Sequence, residues 1–368
     1  MHITHIIIGL KVGGAELMLE RLITQTSNKS GVKHSVISFT SLGDIGLRLI
    51  NAGVVVKTLG MKGFPSFILA FPYTRMILKE LKPDLVQTWM YHADFIGGLA
   101  ARTLGIKNVI WNVRNTNVKK DRLGSYLFRR MCGFFSHILP KHIIYVSHSA
   151  KREHSKNGFM FSNSTVIGNG FDTDKFKFSQ EHRDFFRKEI QLSDDEIAVF
   201  SVGRFDKAKD HKTFINAICK AREKNPKIKG ILIGRGIILE QFDLTDTQMS
   251  GFINVGQVSN VHELLSAADI FCLHSITEGF PNVLGEAMSV GLPCIATKAG
   301  DAELILEQPH YTVDVGDYYL ISDLILELSK SVFLDSVGNI NRERVINFYS
   351  LEQVICSYID LYKEVCFE

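Results

Sequence analysis

Apolar positions along this chain gather in short runs, and the longer stretches between them repeat their apolar residues at helical spacing. In the first half the β-rich runs are His5–Ile8, Ser35–Phe39, Val54–Thr58, Leu85–Thr88, Asn108–Asn112 and Ile143–Val146. Helical patterns lie between them, as over Ala15–Ser27 and Phe67–Leu81. In the second half the runs are Ala198–Val202, Gly230–Ile233, Ile253–Val255, Ile270–Leu273 and Cys294–Ala296, separated by helices such as Lys212–Lys224 and Val261–Ala267. This alternation implies an α/β protein with parallel sheets covered by helices. A join is expected near Asn169-Gly170-Phe171-Asp172, ahead of a polar, charged stretch through Asp195. The expected domains are 1–170 and 171–349, with a final helix in 350–368 packing back on the first. Two doubly wound domains facing a central cleft would hold ligands at the carboxyl ends of both sheets.

Length agrees with two domains, since 368 residues exceed one ordinary core. A net charge of +3 gives no ground for a nucleic-acid partner, and no nucleic-acid recognition motif is present. The six cysteines show no metal-ligand spacing, and several sit in apolar runs, so they read as buried free thiols of a reducing cytosol. The opening HITHIIIGL lacks a basic n-region and a small-residue cleavage site, which argues against a signal peptide. No apolar run approaches bilayer length. The expectation is a cytoplasmic protein, soluble or peripheral.

Three loops carry the candidate chemistry. The segment IFCLHSITEGFPNVLGEAMSVGLPCIA, residues 270–296, runs from an apolar strand into a loop with Glu278, Gly279, Phe280 and Pro281, then into a helix bearing Glu286. The glycine–proline break frees amides near Asn282 and Val283 at the helix start, where the dipole favours a phosphate. Two carboxylates flanking such a start suit a ligand with hydroxyls at both ends and phosphates in the middle, as in a nucleotide-sugar. The loop Ser201–His211 places Arg204 and Lys209 beyond another strand's carboxyl end, where cations meet phosphate charge. The loop Gly9–Glu16 contains Gly13 and Gly14 before the first helix, but it is not G-x-G-x-x-G. His92 follows the strand Leu85–Thr88 at a helix start, where it either caps the helix or, as neutral imidazole, hydrogen-bonds a sugar.

Together these motifs resemble family 4 of the retaining glycosyltransferases with the GT-B fold, which pairs two Rossmann-like domains. Glu278 and Glu286 match its E-x7-E signature, and GLPCIATKAGDAELI matches its usual continuation. Arg204 and Lys209 match G-R-L-x-x-x-K-G, with Phe205 and Asp210 standing where that pattern has Leu and Gly. Gly234-Arg235-Gly236 resembles a strand-end G-x-G near the nucleotide. His92 matches the last histidine of H-x-H-x-x-H-A-x-x-x-G, with Gln87 and Trp89 at the earlier positions. Asp172-Thr173-Asp174 looks like a D-x-D metal motif, but its setting resembles the family's N-G-x-D hinge, and no metal is assigned.

The resemblance implies that Gly14, Arg204, Lys209, Gly234, Glu278, Gly279, Phe280, Asn282, Val283 and Glu286 bind the donor, a nucleotide-sugar expected to be a UDP-linked hexose or N-acetylhexosamine. It implies ribose hydroxyls for Glu286, sugar hydroxyls for Glu278 and His92, and leaving charge for Arg204 and Lys209. Transfer would retain the anomeric configuration, with no cofactor or metal. Gly13, Arg114 and Asn115 are candidates for the acceptor, a lipid-linked saccharide in a lipopolysaccharide, capsule or exopolysaccharide pathway. Over Arg122–Leu139 an apolar stripe (Leu123, Tyr126, Leu127, Met131, Phe134, Phe135, Ile138, Leu139) is ringed by Lys119, Lys120, Arg122, Arg129, Arg130 and Lys141. It reads first as core, second as a face lying on the cytoplasmic side of the inner membrane. The other readings are a glycosidase carboxylate pair, a GT-B nucleotide-sugar epimerase, and a non-catalytic nucleotide-sugar-binding subunit.

Overall fold

The computed structural model describes residues 1–62, 66–116 and 123–367. It divides into two compact units, Met1–Gly170 with Val354–Glu368, and Phe171–Gln353. The first holds strands β1 (His2–Ile7), β2 (Lys33–Ser38), β3 (Val55–Thr58), β4 (Leu85–Trp89), β5 (Val109–Val113), β6 (His142–Tyr145) and β7 (Ser164–Val166). The second holds β8 (Ile197–Val202), β9 (Ile228–Ile233), β10 (Phe252–Gly256), β11 (Ile270–Leu273), β12 (Cys294–Thr297) and β13 (Thr312–Val313). All neighbours pair in parallel, in the orders β3-β2-β1-β4-β5-β6-β7 and β10-β9-β8-β11-β12-β13. Each unit is a Rossmann-like doubly wound sheet, and the order reverses between β1 and β4 and between β8 and β11.

The central strands are buried along nearly their whole length because helices cover both faces, which is why they read as mostly apolar runs. The sequence did not announce β7 and β13, three and two residues long. Nor did it announce the helix Gln180–Glu189 inside the charged stretch, whose Arg187 is buried and pairs with Asp269 at 3.2 Å. There charge signals an ion-paired helix face rather than a linker.

The helix Leu351–Phe367 delivers Tyr358 and Tyr362 to the interior of the first unit. The Tyr358 hydroxyl accepts from Asn112 Nδ2 at 3.0 Å and from Arg114 at 2.9 Å, and the Tyr362 hydroxyl donates to Gln87 Oε1.

A directed chain of hydrogen bonds crosses the first sheet. Trp89 Nε1 lies 3.3 Å from His5 Nδ1, His5 Nε2 3.0 Å from His34 Nδ1, and His34 Nε2 2.7 Å from Thr26 Oγ1. An indole nitrogen only donates, so each histidine accepts at Nδ1 and donates from Nε2, and Thr26 passes its own proton to the Leu22 carbonyl. Both rings must be neutral for this order to hold. Burial holds His5 well below its ordinary value and brings His34 down from 6.5 to about 4, helped by nearby His2. Unfolded histidines take up protons below about 6.5 while the folded pair does not, so stability is intact above that pH and falls as the pH drops towards about 4. His34 alone accounts for a loss on the order of 3 kcal/mol. Urea unfolding followed between pH 7 and 4 is expected to show that slope. His34→Gln, which keeps a donor towards Thr26 without titrating, is expected to flatten it; an unchanged slope would assign the loss elsewhere.

Candidate active site

In the second unit, the loops leaving β8 and β11 converge on one ion pair. Lys209 Nζ lies 2.6 Å from Glu278 Oε1, with both side chains largely shielded. Ser275 Oγ donates to the same oxygen at 2.6 Å, and Thr297 Oγ1 holds the Ser275 carbonyl at 2.7 Å. Glu278 therefore stays in the loop as a fixed acceptor and does not cap the next helix. Asp206 caps the turn Lys207–Lys209 by accepting from the Ala208 amide, and Arg204, two-thirds exposed, lies 3.4 Å from Asp206.

Glycine is required where these loops touch. At Gly234, after β9, φ is +154°, and a Cβ would overlap the Gly203 carbonyl. The helix Asn282–Val290 begins after Pro281 with no side-chain cap, and its start follows the loop beyond the carboxyl end of β11. Glu286 lies one turn in and is half-buried, as are Gly279, Phe280 and Val283, while Asn282 is exposed. Phe280 stacks on Phe171 at 5.9 Å, and that ring fills the space above Gly285.

In the first unit, a cavity of about 720 Å³ opens beyond the carboxyl ends of β1 and β4. Gly14, Arg114 and Asn115 line it together with Lys11, Glu16 and Thr40, and Gly13 stands at the helix start beside it. Arg114 is held by Tyr358, Asn112 and Asn169, with its guanidinium 5.9 Å from the Trp89 ring. Burial raises the Glu16 carboxyl above its ordinary range. Met90, at the mouth of this cavity, has φ +71°, a left-handed conformation uncommon for a side chain of its size.

His92 is not among the residues lining the cavity. It lies in the first turn of the helix Tyr91–Thr103, half-buried, with its ring 4.3 Å from that of Phe128. The apolar stripe after it divides differently from the core reading. Phe128, Arg129, Cys132 and Ser136 are buried, whereas Tyr126, Leu127, Phe134 and Ile138 are exposed, because Phe128 and Phe135 pack against Phe95. Lys119, Lys120 and Arg122 lie outside the described residues.

The sequence reading gave no role to Ser275, His274, Ser201, Glu16 or Tyr358. The adjacent His274-Ser275 pair inside the most informative segment was the available signal. Among the described residues no three His, Cys, Asp or Glu side chains group as a metal site, and no helix is long and apolar enough to cross a membrane.

An ion pair, Lys209–Glu278, stands beyond the switch point of one Rossmann-like unit and a cavity lined by Lys11, Glu16 and Arg114 beyond that of the other, where doubly wound proteins hold their ligands. A family model described as Glycosyltransferase Family 4 matches residues 12–175, and one described as Glycosyl transferases group 1 matches residues 196–331. The chain belongs to the family 4 glycosyltransferases and has the two-domain GT-B fold. It is 23 % identical over 296 residues, covering 78 % of this chain and 76 % of the other, to the Escherichia coli UDP-Gal:alpha-D-GlcNAc-diphosphoundecaprenol alpha-1,3-galactosyltransferase. It is 24 % identical, with 75 % of each chain covered, to the capsular polysaccharide biosynthesis glycosyltransferase CapM of Staphylococcus aureus. Anabaena Alr3699/HepE, solved in complex with UDP, superposes with a TM-score of 0.82 at 18 % identity over 99 % of this chain and 100 % of that one.

Gly285→Ala would drive a methyl into the Phe171 ring. It is expected to lower stability by roughly 1–3 kcal/mol, the range for overpacking, read as an earlier thermal transition. An unshifted transition would show that Phe171 swings aside without cost.

Proposed function

We propose that this chain is a retaining, metal-independent hexosyltransferase that moves a UDP-linked hexose or N-acetylhexosamine to a lipid-linked saccharide in bacterial surface-polysaccharide synthesis. The observation carrying this reading is the Lys209–Glu278 pair, 2.6 Å apart, at the switch point of the second sheet and just ahead of a helix start. An ammonium has three N–H donors, and the bond to Glu278 uses one of them. The other two are available to diphosphate oxygens beside the helix amides and Arg204. Glu278 then takes a sugar hydroxyl through its second oxygen, and Glu286 takes the ribose diol. The names of the Escherichia coli and Anabaena relatives, with their UDP-linked donor and bound UDP, support the nucleotide. The diphosphoundecaprenol in the first supports the acceptor class. Both relatives by sequence are named as transferases, which disfavours the epimerase and partner-subunit readings.

In this mechanism the acceptor hydroxyl attacks the anomeric carbon on the face from which the diphosphate departs. The carbon–oxygen bond to the diphosphate breaks as the new glycosidic bond forms, and the departing phosphate oxygen takes the hydroxyl proton. Lys209, Arg204 and the helix amides stabilise the leaving charge, so no separate base is required. Glu278 orients the sugar, while Arg114 and Asn115, with Gly13 beside them in the first unit, are the residues for the acceptor.

Peripheral contact with an anionic membrane belongs to the same reading. Phe134 is 73 % and Ile138 57 % exposed beside exposed Arg130, an apolar face rimmed by positive charge. Wild-type protein is expected to sediment with anionic vesicles and not with neutral ones. Phe134→Glu with Ile138→Glu is expected to abolish that binding, and equal sedimentation of the variant would remove the membrane part of the reading.

The direct test is nucleotide release from UDP-, GDP- and ADP-sugars, with and without extracted lipid-linked acceptors. Release is expected only from UDP-sugar plus acceptor, unchanged by chelators; release without acceptor would support an epimerase. Lys209→Ala is expected to lower kcat by about 10²-fold or more with the fold intact. Undiminished turnover would reject the phosphate assignment.

A further inference from the structure

His274 ends the β11 segment without a role in the chemistry above, yet it bridges two elements of the donor site. Its Nδ1 lies 2.5 Å from the Lys209 carbonyl oxygen and its Nε2 2.5 Å from Ser201 Oγ, on β8. A carbonyl only accepts, so Nδ1 carries the proton, and Nε2 accepts from the Ser201 hydroxyl. His274 is 4 % exposed, with its ring 5.1 Å from Phe214 and 5.3 Å from His211. Burial brings it down to about 3, so this neutral tautomer holds at any working pH.

The peptide group that His274 grips is an unusual one. Its carbonyl belongs to Lys209 and its amide to Asp210, and Asp210 has φ +52° and ψ +51°. A non-glycine residue in this left-handed region is strained and needs surrounding bonds to persist. Asp210 stands where the resembling pattern carries glycine, which adopts this conformation without that cost. Its own carboxylate accepts from Thr213 Oγ1 at 2.7 Å, and the Ala208 carbonyl accepts from the Ile276 amide at 2.8 Å. Those two bonds fix either side of the peptide. The bond from His274 sets its plane.

We propose that His274 is a positioning residue for transfer: it holds the Lys209–Asp210 peptide in its left-handed turn and so places the Lys209 ammonium against Glu278 and the leaving diphosphate. The inference rests on the reading of Lys209 as the phosphate cation. A displacement of about 1 Å at such a group is enough to cost on the order of 10²-fold in rate.

The test separates the two ring nitrogens. Asparagine places an amide donor where Nδ1 stands, glutamine one nearer to Nε2. On the full-length enzyme, with kcat corrected for folded fraction, His274→Asn is expected to stay within about threefold of wild type. His274→Gln and His274→Phe are expected to fall by about 10- to 100-fold in kcat, with little change in donor KM. Asp210→Gly placed on His274→Phe is expected to restore much of that loss, because glycine holds the turn unaided.

If His274→Asn and His274→Gln behave alike, or His274→Phe loses melting temperature while its folded fraction turns over normally, His274 is structural only and the inference fails. If His274→Phe does not fold, the Asn–Gln comparison still decides. Lys209→Ala run alongside keeps the two failures apart. Normal turnover in that variant would overturn the phosphate reading itself, whereas its loss beside unaffected His274 variants would overturn only the positioning role.

Discussion

A parallel sheet with helices on both faces disfavours unpaired polar groups along its length, and that constraint shapes both units of this chain. Strands β4, β5, β11 and β12 are buried from end to end. Neighbours complete several of the polar side chains inside, as with Trp89, His5, His34 and Thr26, or Thr88 and one oxygen of Asp94 at 2.6 Å, while Gln87 Nε2 and Trp111 Nε1 are buried without a partner. What remains for chemistry is the set of loops beyond the carboxyl ends, and among those the ones flanking a switch point can open without covering each other. Lys209 and Glu278 stand there in one unit, with Gly234 one strand further out, and Gly14 in the other, with Arg114 and Asn115 one strand further out.

The same constraint explains which parts of the fold could be read from the sequence. Strands buried on both faces print as mostly apolar runs, so Ile270–Leu273 was visible at once, and Leu85–Thr88 despite its Gln87 and Thr88. The α/β class and the two doubly wound sheets followed from their alternation with helical spacing. A two-residue strand such as β13 carries no periodicity and pairs only because β12 lies beside it. The helix Gln180–Glu189 was hidden because its buried face is built from arginines satisfied by distant Asp269, and such charge looks like solvent exposure in a one-dimensional pattern.

At the candidate site, backbone placement was legible and side-chain pairing was not. Glycine and proline around residue 280 locate the loop and the helix start, so Glu278 falls before the turn and Glu286 within it. That Glu278 meets Lys209, 69 positions away, depends on tertiary approach of two loops and leaves no local signature. The stripe over Arg122–Leu139 shows the reverse error. Helical periodicity marked an apolar face, but the neighbour contributing Phe95 selected a different one for burial, leaving Phe134 and Ile138 outside.

Tyr358 and Asn112 are bonded across 246 positions of sequence, with the whole of the second unit emerging from the ribosome between them. The second unit is contiguous and can close on itself as it is made. The first cannot: Arg114 and Gln87 wait for Tyr358 and Tyr362 before their hydrogen bonds are complete. Synthesis therefore inverts the order of the sequence, and the unit begun first is finished last. Until then its cavity is bordered by an arginine without its tyrosine anchor, so a nascent chain completes its Lys209–Glu278 site before its Arg114 site.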